Sequence, residues 1–590
     1  MTTPGSVPAA ATTGGAWLIE ETTPAAVFTP ERLSEEHRLI ARTAEEFTVN
    51  EVLPALERLE QKDWDLARAL VRRAGELGLL GTDVPEQYGG VALDKVASIV
   101  VGEKIGMCAS FAATFGAQTG LAIMPLVAFG TDAQRAKYLP SLVSGERIGA
   151  YALSEAGSGS DALGARATAR RLDDGGFALN GEKMWITNGG FADLYSVFAK
   201  IDGEHFTAFL VERASPGVTA GREEHKMGLH GSSTTPLLLQ DARVPAENVL
   251  GEPGRGHKVA FNILNYGRFK LGAACSGGAK AVIGEASRYA AERRQFGRPI
   301  ASFGAIQHKL AEMTVRAYAI ESMLYRTAGA IDAALEGSPE PARVMAALEE
   351  FAVEASILKV AGSEMLDYVL DENVQIHGGN GFVRDYPAER HYRDARVNRI
   401  FEGTNEINRL LIPGMLARRA LKGDLALIPA AKRLQDELLA PAAPPTGGSG
   451  PLDEPLRAVA AMKKIALMVL GTAMQTLGER LADEQEILSW TADILIDAYA
   501  AESACLRALA AEADAAAPGL HAAAATVFVN DAAFRAEIAA RQALAALAEG
   551  DTLRTLLAAL RRLAKAQPVN TVVLRRRIAE AVVARRGYIF

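Results

Sequence analysis

The chain has 590 residues, which is too long for one hydrophobic core and predicts several domains. Hydrophobic residues make up 49% and charged residues 23%, as in ordinary soluble globular proteins, and the net charge of −8 gives no reason to expect nucleic-acid binding. Three widely separated cysteines form neither a disulfide framework nor a metal-spaced cluster, so we expect a reducing compartment and no metal site.

The N-terminal part is predicted to be helical after a short extension. Residues 1–30 are rich in Thr, Pro, Ala and Gly and are interpreted as a tail or strap. The first eighteen residues lack Lys and Arg, so we expect no secretory or transit signal and a cytoplasmic, bacterial-type protein. Residues 31–150 have helical apolar spacing, as at Ile40, Ala44 and Phe47, and form the predicted N-terminal helical domain.

The middle of the chain has the pattern of a β domain. From residue 151 to 258, short β-branched and aromatic runs alternate with turn signals such as Asn180-Gly181 and Asp202-Gly203. Residues 206–211 and 236–240 are typical strands. The pattern predicts a small antiparallel sandwich or barrel.

Helical patterning returns in the C-terminal half. Residues 259–420 are predicted to form a helical bundle, 421–451 a linker, and 452–590 an additional Ala- and Leu-rich helical domain. Residues 553–565 form a basic amphipathic helix, for which we favour packing against the protein over peripheral membrane contact. The fold class is therefore mainly α with a central β domain.

Four segments are candidates for binding a planar, phosphorylated cofactor. Walker, H-E-x-x-H, C-x-x-C and Rossmann G-x-G-x-x-G motifs are absent from the sequence. Residues 151–161 form a Gly/Ser loop, 183–190 include Trp185 and Thr187 on one strand face, 293–300 combine Arg with Phe, and 375–382 contain a Gly pair. Taken alone, each is at least as typical of an ordinary turn, a core Trp, a solvated helix end or a helix C-cap.

The segment at residues 394–405 places one carboxylate, Glu402, between Phe401 and Gly403. A basic, helix-like run containing Arg393, Arg396 and Arg399 precedes it. A carboxylate in an apolar setting has a raised pKa and can accept a proton from carbon. Together with the four cofactor segments, this predicts a proton–hydride dehydrogenation.

These segments resemble the acyl-CoA dehydrogenase family. Residues 151–161, 183–189, 241–251, 293–300, 375–382 and 401–407 match its blocks in family order, over about residues 30–415. The additional C-terminal region resembles the very-long-chain branch, as does Gly304 after Phe303, where shorter-chain relatives usually carry Gln. The resemblance implies the family fold, with N-terminal helical, middle β and bundle domains and an extra helical domain.

The resemblance also implies an activity and a set of site residues. The reaction would be FAD-dependent α,β-dehydrogenation of long-chain fatty acyl-CoA to trans-2-enoyl-CoA in fatty acid β-oxidation, with electrons passed to electron-transfer flavoprotein. Glu402 would be the catalytic base. The implied FAD contacts are Tyr151, Leu153, Ser154, Gly159, Ser160, Trp185, Ile186, Thr187, Thr404 and Glu406, with Arg293, Phe296, Gln375, Gly378 and Gly379 supplied by a neighbouring subunit. Phe303 is a further implied FAD contact, assigned to neither subunit. The implied substrate contacts are Ser160, Asn265, Arg268, Phe401 and Gly403. A site shared between subunits implies a homodimer.

Several alternatives stay open at this point. Some relatives carry the base just before the Arg268 position, but Gly267 stands there in this chain, which favours Glu402. An acyl-CoA oxidase that uses oxygen and a non-catalytic scaffold with the same fold are the other candidates. A helix with small residues at Ala112, Ala113, Gly116, Ala117 and Gly120 indicates either a deep acyl tunnel or close helix packing, and we favour the tunnel.

Overall fold

The computed structural model describes residues 13–338, 340–440, 450–511 and 519–590. An N-terminal helical layer is followed by a central sheet, a helical bundle and a further set of C-terminal helices. One continuous cluster of buried apolar side chains runs through all four parts. The predicted fold class is confirmed.

The N-terminal layer contains seven α-helices: α1 Glu35–Phe47, α2 Leu56–Glu60, α3 Trp64–Glu76, α4 Lys95–Ile105, α5 Ala109–Gly116, α6 Met124–Phe129 and α7 Asp132–Val143. Ser34, Asp63, Asp94 and Thr131 cap α1, α3, α4 and α7 by accepting backbone N–H bonds in the first turn. These capping residues explain where the helices begin.

A π-helical segment, Ala117–Ile123, joins α5 to α6, so that residues 109–129 are almost one continuous helix. This stretch is long and apolar enough to cross a membrane, with a mean hydropathy of 1.4, but 72% of it is buried in the protein. The core helix of a soluble protein has the same properties, so the stretch is weak evidence for a membrane span.

The central sheet contains eight strands: β1 Gly149–Ala152, β2 Thr168–Arg171, β3 Phe177–Thr187, β4 Leu194–Ile201, β5 His205–Glu212, β6 Val218–Ala220, β7 Thr234–Val244 and β8 Val249–Leu250. The strand order is β6-β7-β3-β2-β4-β5-β8, with β1 beside β4.

The sheet is mixed, so the prediction of a wholly antiparallel domain was wrong. Both β1 and β2 run parallel to β4, opposite residues 194–197 and 200–201 respectively. After β1 the chain leaves the sheet through the Gly/Ser loop. It returns as β2, which pairs with β4 in the same direction as β1. Alternation of apolar and polar residues predicts a strand but not its direction.

The bundle follows the sheet: α8 Gly256–Glu292, the short strands β9 Arg294–Gln295 and β10 Arg298–Pro299, α9 Gly304–Leu335, α10 Pro341–Glu350, α11 Ala352–His377, α12 Ala388–Ala395, α13 Asn405–Lys422 and α14 Leu427–Leu439. Helices α8, α9 and α11 pack on one another, α13 packs on α11, and β9 and β10 form a small antiparallel hairpin.

Helix α14 lies inside the segment that was predicted to be a linker, residues 421–451, so that boundary was wrong. Leu427, Ala430 and Leu434 are buried on one face of α14, and Pro429 falls in its first turn, where proline is tolerated. The Pro/Gly/Ser composition belongs to the residues beyond the helix. Residues 441–449 of the expected linker lie outside the described residues.

The C-terminal helices are α15 Asp453–Leu477, α16 Gln485–Ala511, α17 Leu520–Leu547, α18 Gly550–Leu563 and α19 Thr571–Arg585. Helices α15, α16 and α17 pack together, and α16 and α19 rest on α9 of the bundle. The basic helix α18 buries Leu560, and Arg562 donates to the Leu438 carbonyl at the end of α14 (2.8 Å). This arrangement agrees with the packing interpretation of α18.

Residues 13–33, here called the N-terminal strap, cross from the bundle to the C-terminal helices. The Gly15 N–H donates to Glu354 of α11 (2.7 Å), and Trp17 packs on Tyr499 of α16 (4.8 Å between rings). The carboxylate of Glu31 accepts from Arg507 of α16 (2.9 Å). The expected extension therefore packs as a strap from residue 13, and residues 1–12 lie outside the described residues.

Candidate active site

Glu402 lies in a tight turn between α12 and α13. Its backbone has φ +58° and that of Gly403 has φ +78°, both in the left-handed region. Arg268 of α8 donates to the Glu402 carbonyl (3.0 Å), while Asn408 of α13 donates to the Gly403 carbonyl (2.8 Å). Thr404 then caps α13 by accepting the Ile407 N–H. These contacts hold a conformation that a glutamate rarely adopts.

The Glu402 carboxylate points into the protein. Its Oε2 atom is buried and has no hydrogen-bond partner among the described residues. Burial raises the pKa of Glu402 to about 7, against the opposing positive charges of Arg268 and Lys359. The side chain is therefore poised between its acid and base forms near neutral pH.

Four predicted residues lie around this carboxylate. Arg268 is buried and donates to Asn265 (2.9 Å), and Gly403 adjoins the Arg268 guanidinium. The Tyr151 hydroxyl is buried without a partner among the described residues, and burial together with Glu402 raises the pKa of Tyr151 well above its usual value. We call Glu402, Gly403, Arg268, Asn265 and Tyr151 the base pocket.

Gly267 lies against the same carboxylate. A Cβ atom at this position would fall 2.6 Å from Oε2 of Glu402. A side chain at position 267 would therefore reach the same point as the Glu402 carboxylate, as the resemblance implies.

Sequence reasoning missed a buried lysine behind the turn. Lys359 of α11 is fully buried and donates to the Asn405 side chain (2.6 Å), and Asn405 is the first residue of α13. A lone lysine inside the apolar run at residues 355–362 was the available signal.

The Gly/Ser loop and the Trp185 strand lie side by side. The Met184 N–H donates to the Ser154 carbonyl (2.9 Å), and the buried Lys183 ammonium pairs with Glu155 (2.6 Å). A β-bulge in β3 turns Trp185 outward with φ +57°, leaving it 57% exposed. The alternative of a core tryptophan is therefore wrong.

The other predicted residues of this region differ in how far they are exposed to solvent. Gly159 and Ser160 are exposed at the tip of the loop, and Ser154 and Thr187 are half-buried. Leu153 and Ile186 are buried beneath them. Phe401 and Thr404 are half-buried beside Glu402, and Glu406 is exposed in the first turn of α13.

This region fits the isoalloxazine and phosphates of a flavin cofactor. Trp185 offers an exposed indole face, and a Cβ at Gly157 or Gly159 would meet no atom within 4 Å, so a ligand can approach the backbone closely. The unpartnered hydroxyl of Tyr151 and the first turn of α13 add polar groups.

A second set of predicted residues lies at the far end of the bundle. Tyr289, near the end of α8, stacks on His377 at the end of α11 (4.0 Å) and donates to its carbonyl. This contact joins the hairpin after α8 to the glycines after α11. We call this set the distal group, and its predicted members are Arg293, Phe296, Phe303, Gln375, Gly378 and Gly379.

The distal group is open on its outer side and remote from Glu402. Phe296 is 93% exposed, and a Cβ at Gly378 or Gly379 would meet no atom within 4 Å. Arg268 and Tyr289 are 21 residues apart on α8, which is about 30 Å along the helix. Within one chain, the structure therefore does not bring the distal group to the base pocket.

Two glycines of the helix with small residues differ in what surrounds them. A Cβ at Gly116 would meet open space, whereas one at Gly120 would lie 3.7 Å from the buried ring of Tyr266. Open space therefore occurs at Gly116 and ordinary van der Waals contact at Gly120, and the acyl tunnel stays a prediction.

Protein-family models match most of the chain. Models described as acyl-CoA dehydrogenase N-terminal, middle and C-terminal domains match residues 34–146, 150–242 and 254–416. A further model, also described as an acyl-CoA dehydrogenase C-terminal domain, matches residues 461–562.

Individual relatives agree with these matches. A probable acyl-CoA dehydrogenase of Bacillus subtilis is 47% identical over 98% of both chains. The very long-chain specific mitochondrial enzyme of Bos taurus is 44% identical over 57% of this chain and 51% of its own length. A crystal structure of acyl-CoA dehydrogenase complexed with FAD from Bacillus anthracis superposes with a TM-score of 0.96 at 49% identity, covering 98% of this chain and all of that one.

Proposed function

The chain belongs to the acyl-CoA dehydrogenase family, and from that membership we propose that it oxidises long-chain fatty acyl-CoA to trans-2-enoyl-CoA. As an enzyme of this family it is an FAD-dependent flavoprotein. Electron-transfer flavoprotein is the proposed electron acceptor.

The buried carboxylate of Glu402 carries the proposal. A thioester α-proton is only weakly acidic, so its removal needs a base whose pKa is near that of the operating pH and whose surroundings exclude water. The pKa of Glu402 is raised to about 7 by burial, and its Oε2 has no protein partner among the described residues. We assign Glu402 as the base that takes this proton.

The backbone around Glu402 supplies the second requirement, stabilisation of negative charge on the thioester oxygen. The Glu402 N–H donates to no group among the described residues, while Arg268 and Asn408 hold the adjoining carbonyls. A fixed, unpaired N–H beside the base is suited to an oxyanion. The chemistry supplied by bound FAD is acceptance of the hydride that leaves the β-carbon.

We assign the FAD contacts to both groups of residues. Tyr151, the loop at 153–160, residues 185–187 and the first turn of α13 would hold the flavin beside Glu402. The distal group is about 30 Å away on α8, so it would serve the cofactor of a second copy of the chain. A homodimer with two shared sites is the arrangement that this separation supports.

The preference for long chains is supported by two features. Gly116 leaves open space on the helix that carries the small residues, and the chain matches an additional C-terminal domain model at 461–562. We expect kcat/KM to rise from C4 to C16 acyl-CoA. A maximum at C4–C8 would refute the long-chain assignment.

The first test is the visible spectrum of the purified protein before and after anaerobic addition of palmitoyl-CoA. We expect a flavin spectrum that bleaches. A flavin spectrum that stays oxidised would reject this substrate, and a colourless protein that added FAD does not restore would reject the enzyme function.

The role of Glu402 is tested by Glu402→Gln. This variant should retain FAD and acyl-CoA but bleach more slowly by several orders of magnitude, because the amide cannot accept the proton. Glu580→Gln, on the exposed face of α19, is the matched control and should behave as the unaltered protein. Peroxide release during turnover would show that oxygen, and not electron-transfer flavoprotein, is the electron acceptor.

A further inference from the structure

Lys359 is a buried lysine without an acidic partner. It lies on α11, is fully buried, and donates to the Asn405 side-chain oxygen at 2.6 Å. No carboxylate within the described ranges forms an ion pair with it, whereas the equally buried Lys183 is paired with Glu155. Buried cations are costly to leave unpaired, so this arrangement calls for an explanation.

Asn405 links Lys359 to the turn that carries Glu402. Asn405 opens α13 three residues after Glu402, and its amide donates to Ser363 and Glu364 (3.0 Å each). Lys359 thus fixes the start of the helix that follows a turn with two left-handed residues. Backbone of this kind persists only when its surroundings hold it.

The charge of Lys359 also acts on the Glu402 carboxylate. The groups that act on Glu402 from neighbouring elements are Arg268 of α8, Lys359 of α11 and Tyr151 of β1. Arg268 and Lys359 both favour the ionised form, in opposition to burial. Burial lowers the pKa of Lys359 to about 8, and the negative charges of Glu402 and Glu406 oppose that shift. Lys359 therefore remains mostly cationic at neutral pH.

We propose that Lys359 is a positioning residue for the base: its ammonium anchors Asn405 at the start of α13, and its positive charge acts on the Glu402 carboxylate. The role rests on the proposed function, since it concerns proton removal from an acyl-CoA. The competing explanation is a purely structural bond to Asn405, which predicts no effect on protonation of Glu402.

Proton removal can be measured without hydride transfer. A 3-thia-acyl-CoA has an acidic α-position but sulfur in place of the β-carbon, so no hydride can leave. Exchange of its α-hydrogen in deuterated water by the FAD-loaded protein, followed from pH 5 to 9, reports the protonation of the base. In the unaltered protein we expect exchange to rise through about pH 7.

Lys359→Met should shift the rise in exchange to higher pH by about one unit, because loss of the positive charge raises the pKa of Glu402. Exchange at pH 6 should therefore be about tenfold slower. Lys359→Gln keeps a donor for Asn405 without the charge and should show the same shift, which preserves the test if the Met variant folds poorly. Lys359→Arg should return the profile towards that of the unaltered protein.

Lys270→Met is the matched control. Lys270 is half-buried and also has a pKa lowered to about 8 by burial, but its ammonium contacts Ser98 (2.7 Å to the hydroxyl). Its loss should leave the pH profile in place. An unmoved profile in both Lys359→Met and Lys359→Gln would overturn the role of Lys359 alone. Absence of exchange in the unaltered protein would overturn the proposed function and this role together.

Discussion

Gly267→Ala should disable the base without disturbing the fold. The added methyl group would lie 2.6 Å from Oε2 and 2.9 Å from Cδ of Glu402, whereas ordinary contact begins at 3.4 Å. The carboxylate is the free end of a side chain, so it can yield where a backbone atom could not. Relief of the clash requires Oε2 to move by about 0.8 Å, the shortfall from ordinary contact.

A displacement of this size is large for proton transfer. Misplacement of a reacting group by about 1 Å costs roughly a hundredfold in rate. We therefore expect Gly267→Ala to bleach with palmitoyl-CoA about a hundredfold more slowly in anaerobic stopped flow. FAD content and the thermal unfolding midpoint should stay close to those of the unaltered protein, because the substitution lies in a helix, where alanine is favoured.

The matched control is Gly414→Ala in α13. A Cβ at this position would meet no atom within 4 Å, so the same chemical change should leave the rate unaltered. Bleaching of Gly267→Ala at the rate of the unaltered protein would refute the argument, because it would mean that the carboxylate does not work from the position described.

Three further predictions concern ionisation and buried charge. The kcat/KM for acyl-CoA should rise with pH through about 7, since Glu402 must be deprotonated in the free enzyme and burial raises its pKa to about that value; a flat profile from pH 5 to 8 would contradict this. Lys183→Met leaves the buried Glu155 without its cation and should lower the free energy of unfolding, measured by urea titration, by about 3–5 kcal/mol. A decrease below about 1 kcal/mol would show that water reaches the pair. Arg507→Met, at a fully buried guanidinium, should destabilise by a similar amount, whereas Arg554→Met on exposed α18 should change stability by less than about 0.5 kcal/mol; equal effects would contradict the burial argument.

The sequence was most informative where local patterns coincide with function. The change from helical to alternating spacing near residue 151 lies close to the end of α7 at Val143 and the start of β1 at Gly149. The Phe401-Glu402-Gly403 segment indicated a carboxylate in an apolar setting, and the structure buries its Oε2. Both inferences rest on residues that are neighbours in sequence.

Features that depend on distant residues could not be predicted in the same way. The direction of β1 and β2 depends on where the chain returns to β4, which no local period encodes. The link from Lys359 to Asn405 spans 46 residues, and only packing of α11 against α13 reveals it. The extent of α14 was missed because the Pro/Gly/Ser composition beyond it outweighed a short apolar face.

The N-terminal strap has a consequence for how the molecule is made. Glu31 and Arg507 are 476 residues apart in sequence, and Glu20 and Lys463 are 443 apart, yet both pairs are bonded. The strap leaves the ribosome long before its partners in α15 and α16 have been made. Contacts of such long range slow folding, and the dehydrogenase part would meanwhile expose the surface that the strap and the last helices cover. Ribosome-bound chains that stop before α16 should therefore depend on chaperones to a degree that the finished protein does not.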